Sequence, residues 1–149
     1  MVPDWGKARF ASERLQVERL LQSNQLAKAL HQGEELLAKA EKAGPQAYPD
    51  ADYDLAGAKF LFGRVLERAG DSSAALPHLE AAQKIFESLE TGAKMASVAI
   101  KGEADCLRSL GELNKSAALY EEATRRDKER GDKRVTAPFL PTSDKIRPR

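Results

Sequence analysis

A chain of 149 residues with 42% hydrophobic and 32% charged side chains has the length of one domain and a folded, globular composition, which excludes a disordered segment. Aromatics make up only 6% while Ala and Leu are plentiful, a balance that favours helix over a β-sandwich. A net charge of +1 gives the whole chain no strong attraction for polyanions.

The charge is unevenly placed. Residues 125–149 carry nine Lys or Arg against four Asp or Glu, so the body before them is mildly acidic and the end basic. The single cysteine, Cys106, excludes an internal disulfide framework and fits a reducing compartment. The opening Met1-Val2-Pro3-Asp4-Trp5-Gly6-Lys7 has no signal-like apolar core. No run approaches the ~18 apolar residues of a membrane span. The expectation is a cytoplasmic protein with no membrane association.

In chain order, the first predicted helix covers 6–22 and the second 26–43. Val17 and Leu20 lie on the apolar stripe of the first, Ala29 and Leu36 on that of the second. Asn24 stands at the turn between them, where its short amide tolerates the left-handed region. The stretch Ala43-Gly44-Pro45-Gln46-Ala47-Tyr48-Pro49-Asp50 is a break. Pro45 and Pro49 forbid a continuous helix, and Asp50 or Asp52 can cap the next one.

The third and fourth predicted helices, 52–69 and 73–90, give the clearest pattern. Phe60-Leu61-Phe62-Gly63-Arg64-Val65-Leu66 runs to a turn at Ala69-Gly70-Asp71. Leu76, Leu79, Ala82, Phe86 and Leu89 then recur at gaps of three and four, one stripe down a helix. Gly70 can end the third helix in the left-handed conformation, and Asp71 or Ser72 can cap the fourth. Glu90-Thr91-Gly92 marks the next junction.

The fifth and sixth predicted helices, 95–110 and 114–131, repeat this pattern 41 residues on. Gly111 corresponds to Gly70, Ala104 to Gly63, Leu107 to Leu66, Tyr120 to Leu79 and Ala123 to Ala82. The stripes are Ile100, Ala104, Leu107 and Leu110, then Ser116, Tyr120 and Ala123. Beyond Gly131, Pro138, Pro141 and Pro148 leave no sustained periodicity, so 132–149 reads as an irregular basic tail.

A period near 40 with two helices per unit marks a repeat array. One helical hairpin has an apolar face it cannot cover alone, and a stacked neighbour covers it. Small residues at Gly63, Ala75, Ala82, Ala104 and Ser116 suit closely spaced helix axes. A plain helical bundle would explain the stripes, but not small and large residues recurring in one order after each turn.

These positions resemble the tetratricopeptide-repeat family, in its variant with repeats of about 40–42 residues. Phe62-Gly63, Leu66, Gly70-Asp71, Ala75, Leu79 and Ala82 carry the resemblance best, Ala104, Leu107, Gly111, Ser116, Tyr120 and Ala123 less closely, and Ala29-Leu30 weakly. It implies an all-α fold, an α-α superhelix of antiparallel hairpins at about 6–43, 50–92 and 93–131. It also implies that the first helices of successive repeats line a concave groove. Carried over by position, the groove candidates are Arg14, Glu18 and Gln22; Phe60, Arg64 and Arg68; and Lys101, Asp105 and Arg108. Arg64, Arg68, Lys101 and Arg108 would make that wall basic with Phe60 as an apolar anchor, suiting an acidic segment or a terminal carboxylate. Family members that bind chaperones hold a carboxylate with Lys and Asn. Those Asn residues are missing here, which argues against that ligand. The bland alternative is that all nine are ordinary solvated residues.

No phosphate-binding glycine loop, paired metal-ligand cysteines or His-Glu-x-x-His pattern occurs. His31 is expected to face solvent, His78 to flank a stripe, and Cys106 to be a buried thiol. Glu34-Glu35 and Glu121-Glu122 are adjacent, hence about 100° apart around a helix and unsuited to acting together. Asn114-Lys115-Ser116 matches a glycosylation acceptor, but Ser116 belongs to a packing stripe. The mixed charges of Arg125 to Arg130 read as a helix exterior. No nucleic-acid module or stacking platform accompanies the basic end.

The chain therefore reads as a non-enzymatic scaffold, without cofactor or metal, that binds another protein or a peptide. The alternative is a structural or oligomerisation segment that associates through an uncapped C-terminal end. Phe139 and Leu140 are expected to fold back on that end or dock into a neighbouring molecule.

Overall fold

A computed structural model describes residues 5–131. They form six helices: α1 (Lys7–Gln22), α2 (Leu26–Ala43), α3 (Ala51–Arg68), α4 (Ser72–Glu87), α5 (Ala93–Ser109) and α6 (Leu113–Glu129). No strand occurs among the described residues. Phe139, Leu140 and the 132–149 tail lie outside them. No described helix is long and apolar enough to cross a membrane.

Three turns share one geometry. Asn24, Gly70 and Gly111 have φ of 60°, 92° and 85°, the left-handed region that Gly and Asn enter at little cost. The following amides of Gln25, Asp71 and Glu112 donate back to Leu20, Leu66 and Leu107 carbonyls at 2.9, 2.9 and 2.8 Å. Those bonds satisfy carbonyls that the helix end would otherwise leave open. Asp71 then caps α4, its side chain accepting from the Ala74 amide at 3.2 Å.

Of the two caps expected before α3, Asp52 takes part, its Oδ1 accepting from the Tyr53 amide of the first turn at 2.8 Å. Asp50 lies in the left-handed region and its side chain caps nothing. Asp54, one turn inside the helix, holds the junction instead. Nearly buried, it accepts from the Tyr48 hydroxyl at 2.9 Å and from Lys7 Nζ at 3.2 Å, tying α1 and the break to α3.

Each helix packs on the next, and the backbones of α1 and α3 and of α3 and α5 also approach, whereas those of α2 and α4 and of α4 and α6 do not; α4 and α6 are joined through the Arg126–Glu87 side-chain pair. The core runs along this order. Trp5, Phe10, Val17, Leu36 and Val65 join α1 to α3, and Phe86 and Leu79 anchor the packing of α3, α4 and α5. Leu110, expected on a stripe, is 44% exposed. It stands 41 residues after the exposed Ala69, at the hairpin tip, where the chain has already left the helix.

Close helix approach is sharpest at Gly63. A Cβ there would lie 2.9 Å from both Cγ and Cδ2 of Leu79 and 3.4 Å from the Ala75 carbonyl oxygen. Gly63→Leu should therefore cost about 1–3 kcal/mol, the range for overpacking. Equilibrium urea unfolding checks this, and a loss below about 0.5 kcal/mol, typical of a surface change, would refute the close contact.

Candidate functional site

The first helices of the three hairpins carry the predicted site residues, and α3 and α5 bring most of them together. Arg64 lies one turn after Phe60, and its guanidinium sits 6.0 Å from the Phe60 ring centroid. The Arg64 side chain also reaches α5, passing within 3.8 Å of where a Cβ on Gly102 would stand. On α5, Asp105 accepts from the Tyr120 hydroxyl of α6, while Arg108 lies 3.7 Å from Asp105 and 5.9 Å from the Tyr120 ring centroid.

Glu67 stands at the centre of this face. Its Oε1 is 3.2 Å from Arg64 Nε, yet both atoms are buried and neither forms a hydrogen bond. The pair is thus held by charge and not by aligned donor and acceptor. Burial raises the Glu67 pKa, Arg64 opposes the shift, Asp105 adds to it, and Arg68 and Arg108 pull the other way. Four of the predicted residues, Arg64, Arg68, Asp105 and Arg108, therefore act on one carboxyl.

The wall is of mixed sign rather than basic. Arg64 faces Glu67, Arg108 faces Asp105, and Lys101 turns to α6, where its Nζ is 3.0 Å from Asp127. Burial would push Asp127 up, but hydrogen bonds from Ser97, Arg130 and Lys101 outweigh it and hold the carboxyl at about 2. Arg68 is exposed and has no ion pair within 4 Å among the described residues. On α1, Arg14 and Glu18 pair with each other at 3.5 Å. No hydrogen bond or ion pair joins them or Gln22 to the α3 and α5 sets.

Glu67, Tyr120 and Asp127 were not among the predicted site residues. Glu67 was legible, being three residues after Arg64 on one helix face. Tyr120 and Asp127 belong to α6, and only the packing of α6 on α5 brings them to the wall.

The remaining reactive side chains take no part in these pairs. His31 is exposed, 3.3 Å from Glu35. His78 packs edge-on to Phe62 with centroids 5.1 Å apart, and burial and Lys59 lower its pKa. Cys106 is a buried free thiol, pushed up to about 11 by burial and then by Glu67 and Asp105. Ser116 is buried and donates to the Ala104 carbonyl at 2.8 Å. An open cleft of about 680 Å³ lies at the far ends of α4 and α6, crossed by a 2.7 Å pair between Arg126 and Glu87. Among the described residues no group of three or more His, Cys, Asp or Glu is placed to hold a metal ion.

Comparison with protein-family models, curated proteins and solved structures finds no match to this chain.

Proposed function

We propose that the chain is a tetratricopeptide-like helical array, cytoplasmic and non-enzymatic, that binds a segment of another protein along the side formed by α1, α3 and α5. One observation carries this reading. The backbones of successive first helices approach while those of successive second helices do not, the packing of a curved array with its first helices inside. Such concave surfaces are what repeat arrays offer to extended ligands.

The chemistry of that side favours a segment with an acidic group and an apolar one. Arg68 is an exposed cation free to take a carboxylate, Arg64 can exchange its poorly aligned pair with Glu67 for a better one, and Phe60 is half-buried beside them. Guanidinium is suited to this because its planar fork matches a carboxylate with two parallel bonds.

Pull-down with the folded chain, followed by peptide mapping of what is retained, identifies the segment. Exchanging Arg64 and Arg68 together for Ser should then weaken its binding at least about tenfold, since a hydrogen bond to a charged group contributes about 1.5–3 kcal/mol. Circular dichroism should show unchanged helicity. Equal affinity in a folded variant would move the site off this face.

A second reading, a structural segment that associates through its C-terminal end, is favoured by Leu110 and Leu113, 44% and 63% exposed at the tip of the last hairpin.

A further inference from the structure

Glu103 places a carboxyl where the preceding hairpin has a hydrocarbon. It stands 41 residues after Phe62, and each directly precedes a small residue, Ala104 or Gly63. The Phe62 ring fills its place by packing over Gly33 and against the edge of His78. Glu103 lies deeper than the partly buried Phe62, only 5% exposed, and its Oε2 is buried with no hydrogen-bond partner. A buried carboxylate with an open lone pair is a high-cost arrangement, and a protonated carboxyl relieves it.

The surroundings deepen the conflict. From α4, Glu80 and Glu87 act on Glu103, and both oppose its ionisation. From α6 comes one cation, Arg126, already paired with two other carboxylates. Its Nη1 is 2.7 Å from Glu87 and its Nε 2.7 Å from Glu122. The charged groups of α3 in this stretch, Arg64 and Glu67, bear on Cys106, the next ionisable group on this face of α5. No hydrogen-bond donor among the described residues reaches Glu103 Oε2.

We propose that Glu103 is a pH-sensitive latch on the third hairpin: as the neutral acid it lets α4 and α6 close over α5, and as the carboxylate it loosens α6. This stands independently of the groove reading, though Lys101, Asp105 and Arg108 ride on the same helix and would move with it. Burial first, then Glu80 and Glu87, lift Glu103 from the usual 4.5 to about 7 against the pull of Arg126. A folded-state pKa raised in this way makes stability fall as pH rises. The contribution is whole below about 4.5, declines as the unfolded chain ionises, and is gone above about 7.

The test compares the intact chain with Glu103→Gln by urea unfolding at pH 5 and pH 8. Other groups titrate in both proteins, so the difference between them isolates Glu103. From pH 5 to pH 8 the folding constant of Glu103→Gln should rise relative to the intact chain by on the order of a hundredfold. Parallel profiles would overturn the latch. Should the variant fail to fold, carbon-13 titration of the Glu103 carboxyl in the intact chain decides instead. A midpoint near 7 supports the proposal and one below 5 overturns it. Amide hydrogen exchange, corrected for its intrinsic pH dependence, locates the effect. Faster opening at pH 8 in α6 but not in α1 or α2 is the expected result, and an unchanged α6 would overturn the proposal even with a carboxyl titrating near 7.

Discussion

Truncating Phe86 to Ala should destabilise the fold by about 3–5 kcal/mol, the range for deleting a buried aromatic ring. Phe86 is fully buried in α4 and packs among Ala56 of α3, Ala82 of its own helix and Ala96 of α5. The Tyr53 ring meets it edge-on, with centroids 5.1 Å apart at 70°. Three of these neighbours are alanines, whose side chains have no rotamer with which to fill a void. Little of the cavity can collapse, so the loss should fall toward the upper end of that range. It would remove a large part of the ~5–15 kcal/mol by which a domain is ordinarily stable. Chemical denaturation followed by circular dichroism measures it. A loss below about 1.5 kcal/mol, as for a volume-conserving core swap, would mean that this ring does not join α3, α4 and α5.

Gly92→Ala should produce the next largest effect, for a different reason. Gly92 has φ −95°, which any residue adopts, so its backbone angles do not require glycine. The constraint is space. A Cβ at Gly92 would lie 2.0 Å from the Phe86 carbonyl oxygen and 2.8 Å from its carbon, atoms of the last turn of α4. A side chain could rotate away, but a helix backbone cannot. The Gly92 carbonyl also accepts the first bond of α5, from the Ala96 amide at 2.8 Å, so displacing it disturbs both helices. The expected cost is at or above the upper end of the overpacking range of about 1–3 kcal/mol. Gly57→Ala supplies the control. It lies inside α3 with nothing within 4 Å of its added methyl. There the same substitution should stabilise by about 0.4–1 kcal/mol through the unfolded chain. Thermal melts of both variants check the opposite signs, and a Gly92→Ala protein as stable as the parent would show that the α4–α5 junction is not packed this way.

The sequence by itself determined the helices and the turns of this protein. Asn24, Gly70 and Gly111 mark hairpin turns because the left-handed conformation is a property of one residue and its neighbours. The stripes through Val17, Leu36, Leu79 and Ile100 follow from a period of 3.6, which needs no knowledge of the partner helix. Even the burial of Ser116 was legible from its place on a stripe, and that of Cys106 from the preference of a free thiol for the interior.

What the tertiary structure decided was everything that depends on distance between helices. Arg126 pairs with Glu87 across 39 residues and Lys101 with Asp127 across 26. The periodicity of neither helix reveals these pairs. Leu110 continued a stripe by spacing, yet is exposed because the turn carries it past the last packed layer. Gly92 looked like a junction glycine, and only the approach of the Phe86 carbonyl shows that it must lack a side chain. Glu103 is singled out by no spacing in the sequence. Its buried oxygen has physical meaning only once α4 and α6 are laid on either side, because desolvation and repulsion depend on what surrounds a group and not on its place in the chain.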